Sequence, residues 1–252
     1  MRVQRIGFTP LKGGRHTAHE YVDLVPDGPV GDRVFCLVDP ARERVLRTVE
    51  NPSLLQTTAT WAADVLTVDL AGRAVAGRPS PTGEQLEVDY WGRRAQLEVV
   101  AGPWADAYSA HLGFDVVLAR SVTAGEVVYG APVSLISTAS LDELGRRIGR
   151  TIDGTRFRST FVVEADGRPH LEDAWVGRNL VIGDARITVR SVIPRCAVVD
   201  MDPETGRRDS PVLQTLGGYR RSDGEIDFGV DAVVSAAGRV RHGDTVTPAD
   251  EG

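Results

Sequence analysis

Short apolar or alternating runs, separated by turn residues, recur along almost the whole chain and constrain its fold more than any other feature. Runs of this length favour β-strands, and the Gly, Pro and Asp residues between them favour turns. The predicted strands are residues 3–8, 34–38, 45–49, 65–70, 85–90, 96–100, 116–118, 133–136, 157–163, 179–182, 187–192, 197–201 and 232–235. Many short strands with frequent turns are typical of barrels and sandwiches, so a mostly β protein is predicted.

Few segments carry a helical pattern. The predicted helices are residues 103–112, 140–148 and 211–216. Ser140 and Glu143 form the S-x-x-E capping pattern at the start of the second helix, and Gly149 is placed to end it. The length of 252 residues and a turn-rich stretch near 123–132 predict two domains, residues 1–125 and 126–250.

Charge and hydropathy exclude several classes of protein. The formal net charge is −6, which argues against a general nucleic-acid-binding protein. No apolar run approaches the roughly 18 to 20 residues of a membrane span, and the N-terminus shows no signal-peptide pattern. We therefore expect a cytoplasmic protein with no nucleic-acid and no membrane partner.

Cys36 and Cys196 are the two cysteines, and we expect both to be free thiols. Cys36 lies inside an apolar run and is expected to pack like a small hydrophobic residue. Cys196 follows Pro194 and Arg195 and precedes the predicted strand 197–201. A neighbouring arginine stabilises the thiolate, which is the form that binds metals or acts as a nucleophile. On the residues alone, a metal ligand, a nucleophile and a core cysteine all stay open for Cys196.

Lys12 is the only lysine among 29 basic residues, and it precedes Gly13 and Gly14. The two glycines let the backbone approach a ligand closely. Four arginines also lie at predicted strand ends or turns: Arg33, Arg156, Arg158 and Arg195. Such cations can hold a phosphate-bearing cofactor, while the bland alternative is arginines scattered over the surface. Neither a Walker motif nor a dinucleotide-binding glycine motif is present in the sequence.

The histidines and one acidic stretch suggest no conventional metal site. The histidines are His16, His19, His111, His170 and His242, and their spacing does not match a structural zinc site. His16 and His19 lie near Lys12, but we expect them to be ordinary surface residues. The stretch from Asp202 to Gly206 lacks the twelve-residue pattern of a calcium loop, so it predicts a hairpin turn.

The order and spacing of several motifs resemble the MOSC family, in the branch of the mitochondrial amidoxime-reducing component and its bacterial relatives. The N-terminal motifs are Leu11-Lys12 and Gly31-Asp32-Arg33, and the later ones are Leu135-Ile136-Ser137-Thr138-Ala139-Ser140-Leu141, Arg156-Phe157-Arg158, Glu172-Asp173-Ala174-Trp175, Arg195-Cys196, Asp202-Pro203-Glu204-Thr205-Gly206 and Leu216-Gly217-Gly218-Tyr219-Arg220. The resemblance implies a β-barrel MOSC domain preceded by a β-barrel-like domain, with a few short helices and a cofactor cleft between the domains.

The resemblance also implies a cofactor, a reaction and a set of site residues. The cofactor is the molybdenum cofactor, a molybdopterin, with Cys196 as catalytic residue and molybdenum ligand. The cofactor-binding residues would be Lys12, Arg33, Ser137, Ser140, Arg158, Thr160 and Arg195. The expected activity is the reduction of N-hydroxylated small molecules. A separate electron-donor protein would be needed, because two cysteines cannot supply a four-cysteine iron–sulfur site.

Two other functions stay open beside the reductase. The chain could be a non-catalytic carrier of the molybdenum cofactor, or of a labile sulfur on Cys196. It could instead use Cys196 without molybdenum, for carbon–sulfur chemistry on a small metabolite.

Overall fold

The computed structural model describes residues 1–123 and 125–249 and shows a mostly β protein. Strands hold 46% of the chain and helices 18%, which confirms the predicted fold class. The strands are β1 (Arg2–Phe8), β2 (Thr17–His19), β3 (Tyr21–Val25), β4 (Gly28–Pro29), β5 (Phe35–Asp39), β6 (Arg44–Val45), β7 (Thr57–Ala62), β8 (Val65–Leu70), β9 (Arg73–Gly77), β10 (Ser80–Tyr90), β11 (Arg93–Ala101), β12 (Val117–Ser121), β13 (Val133–Ser137), β14 (Phe161–Glu164), β15 (Asn179–Ile182), β16 (Ala185–Pro194), β17 (Arg221–Ser222), β18 (Glu225–Ala236), β19 (Gly238–Arg241) and β20 (Val246–Pro248).

The helices are few and short. The α-helices are α1 (Trp104–Leu112), α2 (Thr138–Ile148) and α3 (Val212–Gly217), and the 3-10 helices are Pro52–Gln56, Gly154–Phe157, Leu171–Trp175 and Ala197–Asp200. Among the described residues, no helix has both the length and the apolar character that a membrane crossing requires.

A nine-stranded sheet carries most of the C-terminal half. Its order is β2-β1-β14-β13-β18-β16-β15-β20, with β17 paired to β18. Side chains from neighbouring strands meet in one core, where Ile6, Leu135, Phe161 and Val230 are fully buried. The first strand of the chain belongs to this sheet, because β1 pairs with β14 in the register Ile6↔Phe161. The division into domains 1–125 and 126–250 stays a prediction.

A closed five-stranded barrel is built between residues 35 and 121. Its order is β10-β11-β12-β5-β6. Every residue of β5 is buried, including Asp39 at the end of its apolar run. The loop that carries Lys12 contacts this barrel, because the Lys12 backbone N–H donates to the Phe35 carbonyl over 2.7 Å. The sheet and the barrel therefore meet at the segment between β1 and β5.

Residues 197–201 were predicted as a strand, but Ala197–Asp200 forms a 3-10 helix instead. The preceding strand β16 ends at Pro194, which faces Asp227 on β18. One further backbone bond, from the Arg195 N–H to the Ile226 carbonyl, closes this pairing. A run of four residues with three apolar members does not distinguish a strand from a helical turn that buries one side, here through Val199.

Two other predicted strands are shorter than expected. Residues 157–163 were predicted as one strand, but β14 begins only at Phe161, because Gly154–Phe157 is a 3-10 helix that ends with Arg158 at φ 54°. Residues 45–49 were also predicted as a strand, whereas β6 covers only Arg44–Val45.

Helix α2 begins earlier than the predicted capping pattern indicated. The Ser137 side chain accepts the Ser140 backbone N–H, so Ser137 and not Ser140 is the N-cap. Glu143 accepts hydrogen bonds from Arg146 and Arg147 on the outer face instead of capping the helix. Gly149 ends the helix in the left-handed conformation, as predicted.

Candidate functional site

Cys196 lies at the surface where β16 ends and the 3-10 helix 197–200 begins. It is exposed, whereas Cys36 is completely buried in the barrel strand β5. Both cysteines are free thiols, and the packing role predicted for Cys36 is confirmed. Burial raises the pKa of the Cys36 thiol to about 12, so Cys36 stays protonated at neutral pH. Cys196 is therefore the thiol that can reach a ligand.

Arg195 is held by backbone carbonyls and not by carboxylates. Its Nε donates to the Phe228 carbonyl over 2.7 Å, and its Nη1 donates to the Phe157 carbonyl over 2.9 Å. Its Nη2 is buried and has no hydrogen-bond partner among the described residues. Burial lowers the pKa of Arg195 to about 10, and the charge of Cys196 opposes this shift. The guanidinium is thus still charged at neutral pH, with one donor free for a ligand.

Lys12 lies at the edge of the barrel, in the loop that follows β1. Its Nζ lies 5.5 Å from the centre of the Tyr90 ring. Burial lowers the pKa of Lys12 to about 7, and the charges of Arg33 and Arg158 lower it further. An anion bound here would favour the charged form of Lys12, because opposite charges stabilise ionisation.

Arg33 and Arg158 face Lys12 from two different parts of the chain, and both have left-handed backbones. Arg33 pairs with Asp32 at 2.9 Å. Arg158 donates through Nη1 to the Gly14 carbonyl over 2.7 Å, while its Nη2 is buried and has no partner among the described residues. Burial lowers the pKa of Arg158 to about 10, and the Arg33 charge adds to this.

We call Lys12, Arg33, Arg158 and Arg195, together with Cys196, the cation cluster. Cys196 is the shared neighbour, since its charge acts on the pKa of Lys12, Arg158 and Arg195. Asp32 is the one carboxylate paired with any of the four cations at salt-bridge distance among residues 1–123 and 125–249. The fold therefore gathers four of the five predicted cations near the exposed thiol and leaves their charge largely uncompensated, whereas Arg156 pairs with Asp209 at 3.2 Å.

Three other predicted cofactor-binding residues, Ser137, Ser140 and Thr160, have their hydroxyls engaged within the protein. The Ser137 hydroxyl donates to Glu172 Oε2 over 2.7 Å, and the Ser140 hydroxyl accepts the His170 N–H over 2.8 Å. Thr160 Oγ1 accepts the Ser134 N–H over 3.1 Å. All three are buried. Cofactor contact by these residues stays a prediction.

The acidic turn after Cys196 ties the cation cluster to the N-terminal half. Asp202 Oδ1 accepts the backbone N–H groups of Glu204 and Thr205, and a bridge between Met201 and Arg208 closes the predicted hairpin turn. Arg15 donates to the Glu204 carbonyl over 2.9 Å. The turn thereby holds the chain that follows Cys196 against the loop that follows Lys12.

His16 belongs to the same region, although its sequence suggested a surface residue. It is 6% exposed, and neither ring nitrogen has a hydrogen-bond partner among the described residues. Burial lowers the pKa of His16 well below 6.5, and the charges of Arg158, Arg33, Arg5 and Lys12 lower it further. Its place near Lys12 was the one signal in the sequence, and the sequence did not show that the ring is buried.

The MOSC domain family matches residues 108–247, which is more than half of the chain. The chain belongs to the MOSC domain family. It is 32% identical over 135 residues to mitochondrial amidoxime-reducing component 1 from Mus musculus, which covers 49% of this chain and 39% of that protein. It is 33% identical over 116 residues to a molybdenum cofactor sulfurase from Pyricularia oryzae, which covers 40% of this chain and 14% of that protein. These matches span well under two thirds of either relative.

One solved structure aligns with this MOSC protein over nearly its whole length. The YUAD protein from Bacillus subtilis covers 97% of this chain and 93% of its own, with 12% sequence identity and a TM-score of 0.47.

The residues of the cation cluster fit a molybdopterin. The described residues contain no group of three or more His, Cys, Asp or Glu side chains placed to hold a metal ion, so the protein offers one thiol and not a complete set of ligands. The buried, unpartnered Nη2 atoms of Arg158 and Arg195 suit the anionic part of that cofactor, because guanidinium groups bind phosphates strongly.

Proposed function

We propose that this MOSC protein is a molybdenum-cofactor-dependent reductase of N-hydroxylated small molecules, with Cys196 as the molybdenum ligand. The observation that carries the proposal is the exposed Cys196 thiol beside buried cations whose donors lack protein partners. The relatives support the cofactor class, because they are named as an amidoxime-reducing component and a molybdenum cofactor sulfurase.

When bound, the cofactor would supply the two-electron redox centre for removal of the substrate oxygen. Cys196 would hold the metal through its thiolate, directly after Arg195 in the chain. Arg158 and Arg195 would each direct one free N–H to the anionic cofactor, and Lys12 would add a point charge. The carbonyls of Gly14, Phe157 and Phe228 fix these two guanidinium groups before the cofactor binds.

Electron balance requires a partner. Converting an N–OH group to N–H, with the oxygen leaving as water, consumes two electrons and two protons. The described residues contain no second redox site of clustered metal ligands. A separate electron-donor protein, in the cytoplasm, completes the proposal.

Metal and pterin analysis tests the cofactor assignment. Wild type, Cys196→Ser and the buried-thiol control Cys36→Ala would be purified from a host that makes the cofactor. We expect about one molybdenum and one pterin per wild-type chain, an altered molybdenum site in Cys196→Ser, and wild-type loading in Cys36→Ala. Wild-type protein without molybdenum and pterin would contradict the proposal.

Turnover then separates the reductase from the carrier. The loaded protein would be mixed with an artificial electron donor and a benzamidoxime. If wild type reduces the benzamidoxime and Cys196→Ser does not, the result supports the reductase. Full cofactor loading without any reduction would favour a carrier, the alternative that fits the sulfurase relatives.

A further inference from the structure

Among the described residues, His16 is the one buried histidine near the cation cluster. Its two ring nitrogens make no hydrogen bond within residues 1–123 and 125–249. Buried polar atoms in folded proteins almost always have a partner. The 6% exposure leaves the ring little contact with bulk water. The ring is therefore a buried polar group whose hydrogen-bonding capacity no described residue fills.

The position of His16 is fixed from two sides. Arg5 Nη2 donates to the His16 carbonyl over 3.4 Å, and Arg158 Nη1 binds the Gly14 carbonyl two residues earlier. The loop that holds His16 thus shares its anchor with a member of the cation cluster. The backbone at His16 is therefore held in place before a ligand binds, which lowers the entropy cost of binding.

The surroundings of His16 favour the neutral form of its ring. Four cations act on it, Arg158, Arg33, Arg5 and Lys12, and burial acts in the same direction. A neutral imidazole has one donor and one acceptor nitrogen. It can therefore accept from an arginine N–H on one side and donate to an anion on the other, which a fifth cation could not do.

A small cavity next to the ring supplies the arginine side of this arrangement. Its volume is about 10 Å³, enough for one water, and His16, Arg156 and Arg158 are among the residues that line it. Arg156 Nε and Arg158 Nη2 are both buried donors without partners among the described residues. The three residues thus border a space the size of one water molecule.

We propose that His16 is a further binding residue of this site: its ring donates a hydrogen bond to the anionic, phosphate-bearing group that Lys12, Arg33 and Arg158 hold, while it accepts from the arginines around the cavity. The proposal rests on the proposed function for the presence of that group. It assigns His16 as a donor that orients the anion, distinct from the charges that attract it.

Binding of inorganic phosphate to the cofactor-free protein tests the assignment directly. Wild type, His16→Leu, His16→Gln and the control His19→Leu would be titrated by calorimetry. His19 lies on β2 close by, but its ring stacks on Phe8 at 3.7 Å and has its own partners. We expect phosphate affinity to fall about tenfold in His16→Leu, the effect of one lost hydrogen bond to a charged group. His16→Gln, which keeps a neutral donor and acceptor, should recover most of it, and His19→Leu should bind like wild type.

Pterin content of the same variants, purified from a cofactor-producing host and passed through gel filtration, gives a second readout. His16→Leu should retain less pterin per chain than His16→Gln and His19→Leu. Wild-type phosphate affinity and pterin retention in His16→Leu would overturn the role of His16 and leave the proposed function intact. Absence of phosphate and pterin binding from wild type itself would instead refute the site that both proposals share.

A measurement on the unmutated protein tests the role of His16 even if the variants fail to fold. With ¹⁵N-labelled histidine, the His16 ring should show the neutral form and should shift when phosphate is added. A charged ring, or a ring signal that phosphate leaves unchanged, would also overturn the proposal.

Discussion

Arg158 donates a hydrogen bond over 2.7 Å to the carbonyl of Gly14, a residue 144 positions earlier in the chain. The bond joins the loop after β1 to the segment that precedes β14. One guanidinium thereby fixes the Gly14 carbonyl, and its buried Nη2 has no partner among the described residues. The loop that follows Lys12 is thus anchored by one member of the cation cluster.

Arg158→Lys should therefore damage the site although it keeps the charge. A lysine has no planar fork that can bind the Gly14 carbonyl and an anion together. We expect loss of most of the bound pterin and a fall of about 1–2 kcal/mol in the free energy of unfolding. Pterin analysis and urea denaturation measure the two effects. Arg207→Lys, an exposed arginine in the acidic turn, is the matched control, and a similar loss there would show that the effect is not specific to position 158.

Lys12 should make the free energy of unfolding of the cofactor-free protein rise with pH. The folded chain releases the Lys12 proton near pH 7, whereas the ordinary pKa is 10.5. Between these values the unfolded chain binds more protons, so the free energy of unfolding contributed by Lys12 rises with pH. Lys12→Met should stabilise the cofactor-free protein below about pH 7 and flatten the rise toward about pH 9. Urea denaturation of both proteins at several pH values measures the difference, and parallel curves would contradict the buried amine.

Gly206→Ala should lower the free energy of unfolding for two reasons, a strained backbone conformation and a steric contact. Gly206 has φ 71°, and a Cβ there would meet the Pro52 carbonyl oxygen. The left-handed backbone alone costs a non-glycine residue about 1–2 kcal/mol, and the contact would push the acidic turn away from the N-terminal half. Gly224→Ala is a close control, because Gly224 has φ 88° and open space around its Cα. The variants would be compared by urea denaturation; equal losses would mean that the Pro52 contact contributes nothing.

Ser137→Ala separates a structural role from the predicted cofactor contact. The substitution removes the N-cap of α2 and a hydroxyl partner of the buried Glu172 carboxylate. A loss of about 1–3 kcal/mol in the free energy of unfolding is expected. Ser80→Ala, at an exposed strand position, should leave stability unchanged. Pterin content per folded chain decides the second role: unchanged content assigns Ser137 to structure alone, and reduced content supports cofactor contact.

The strand pattern of the fold could be predicted from the sequence wherever local chemistry determines it. Residues 65–70 and 179–182 form strands with the predicted bounds, because turn residues flank these runs. Residues 197–201 were mispredicted because the end of β16 depends on its pairing with β18, a long-range contact. The pairing of β1 with β14 is of the same kind, since no local pattern encodes which strands become neighbours.

The site was partly predictable for a similar reason. Lys12 stood out as the single lysine, and Cys196 as a cysteine beside an arginine. His16 could not be distinguished from the other histidines, because its significance comes from burial among cations that lie far apart in sequence. The capping role of Ser137 was assigned to Ser140, since both serines precede the same apolar helix face and only the start of the helix decides between them.

The pairing of β1 with β14 has a consequence for anyone who shortens this protein. Residues 108–247, the part that the family shares, contain β14 but not the strand that covers its outer edge. Expressed alone, this segment would expose the backbone donors and acceptors of an apolar strand, which readily recruits a strand from another molecule. We expect such a fragment to self-associate. A separate peptide of residues 1–29 should compete with that association.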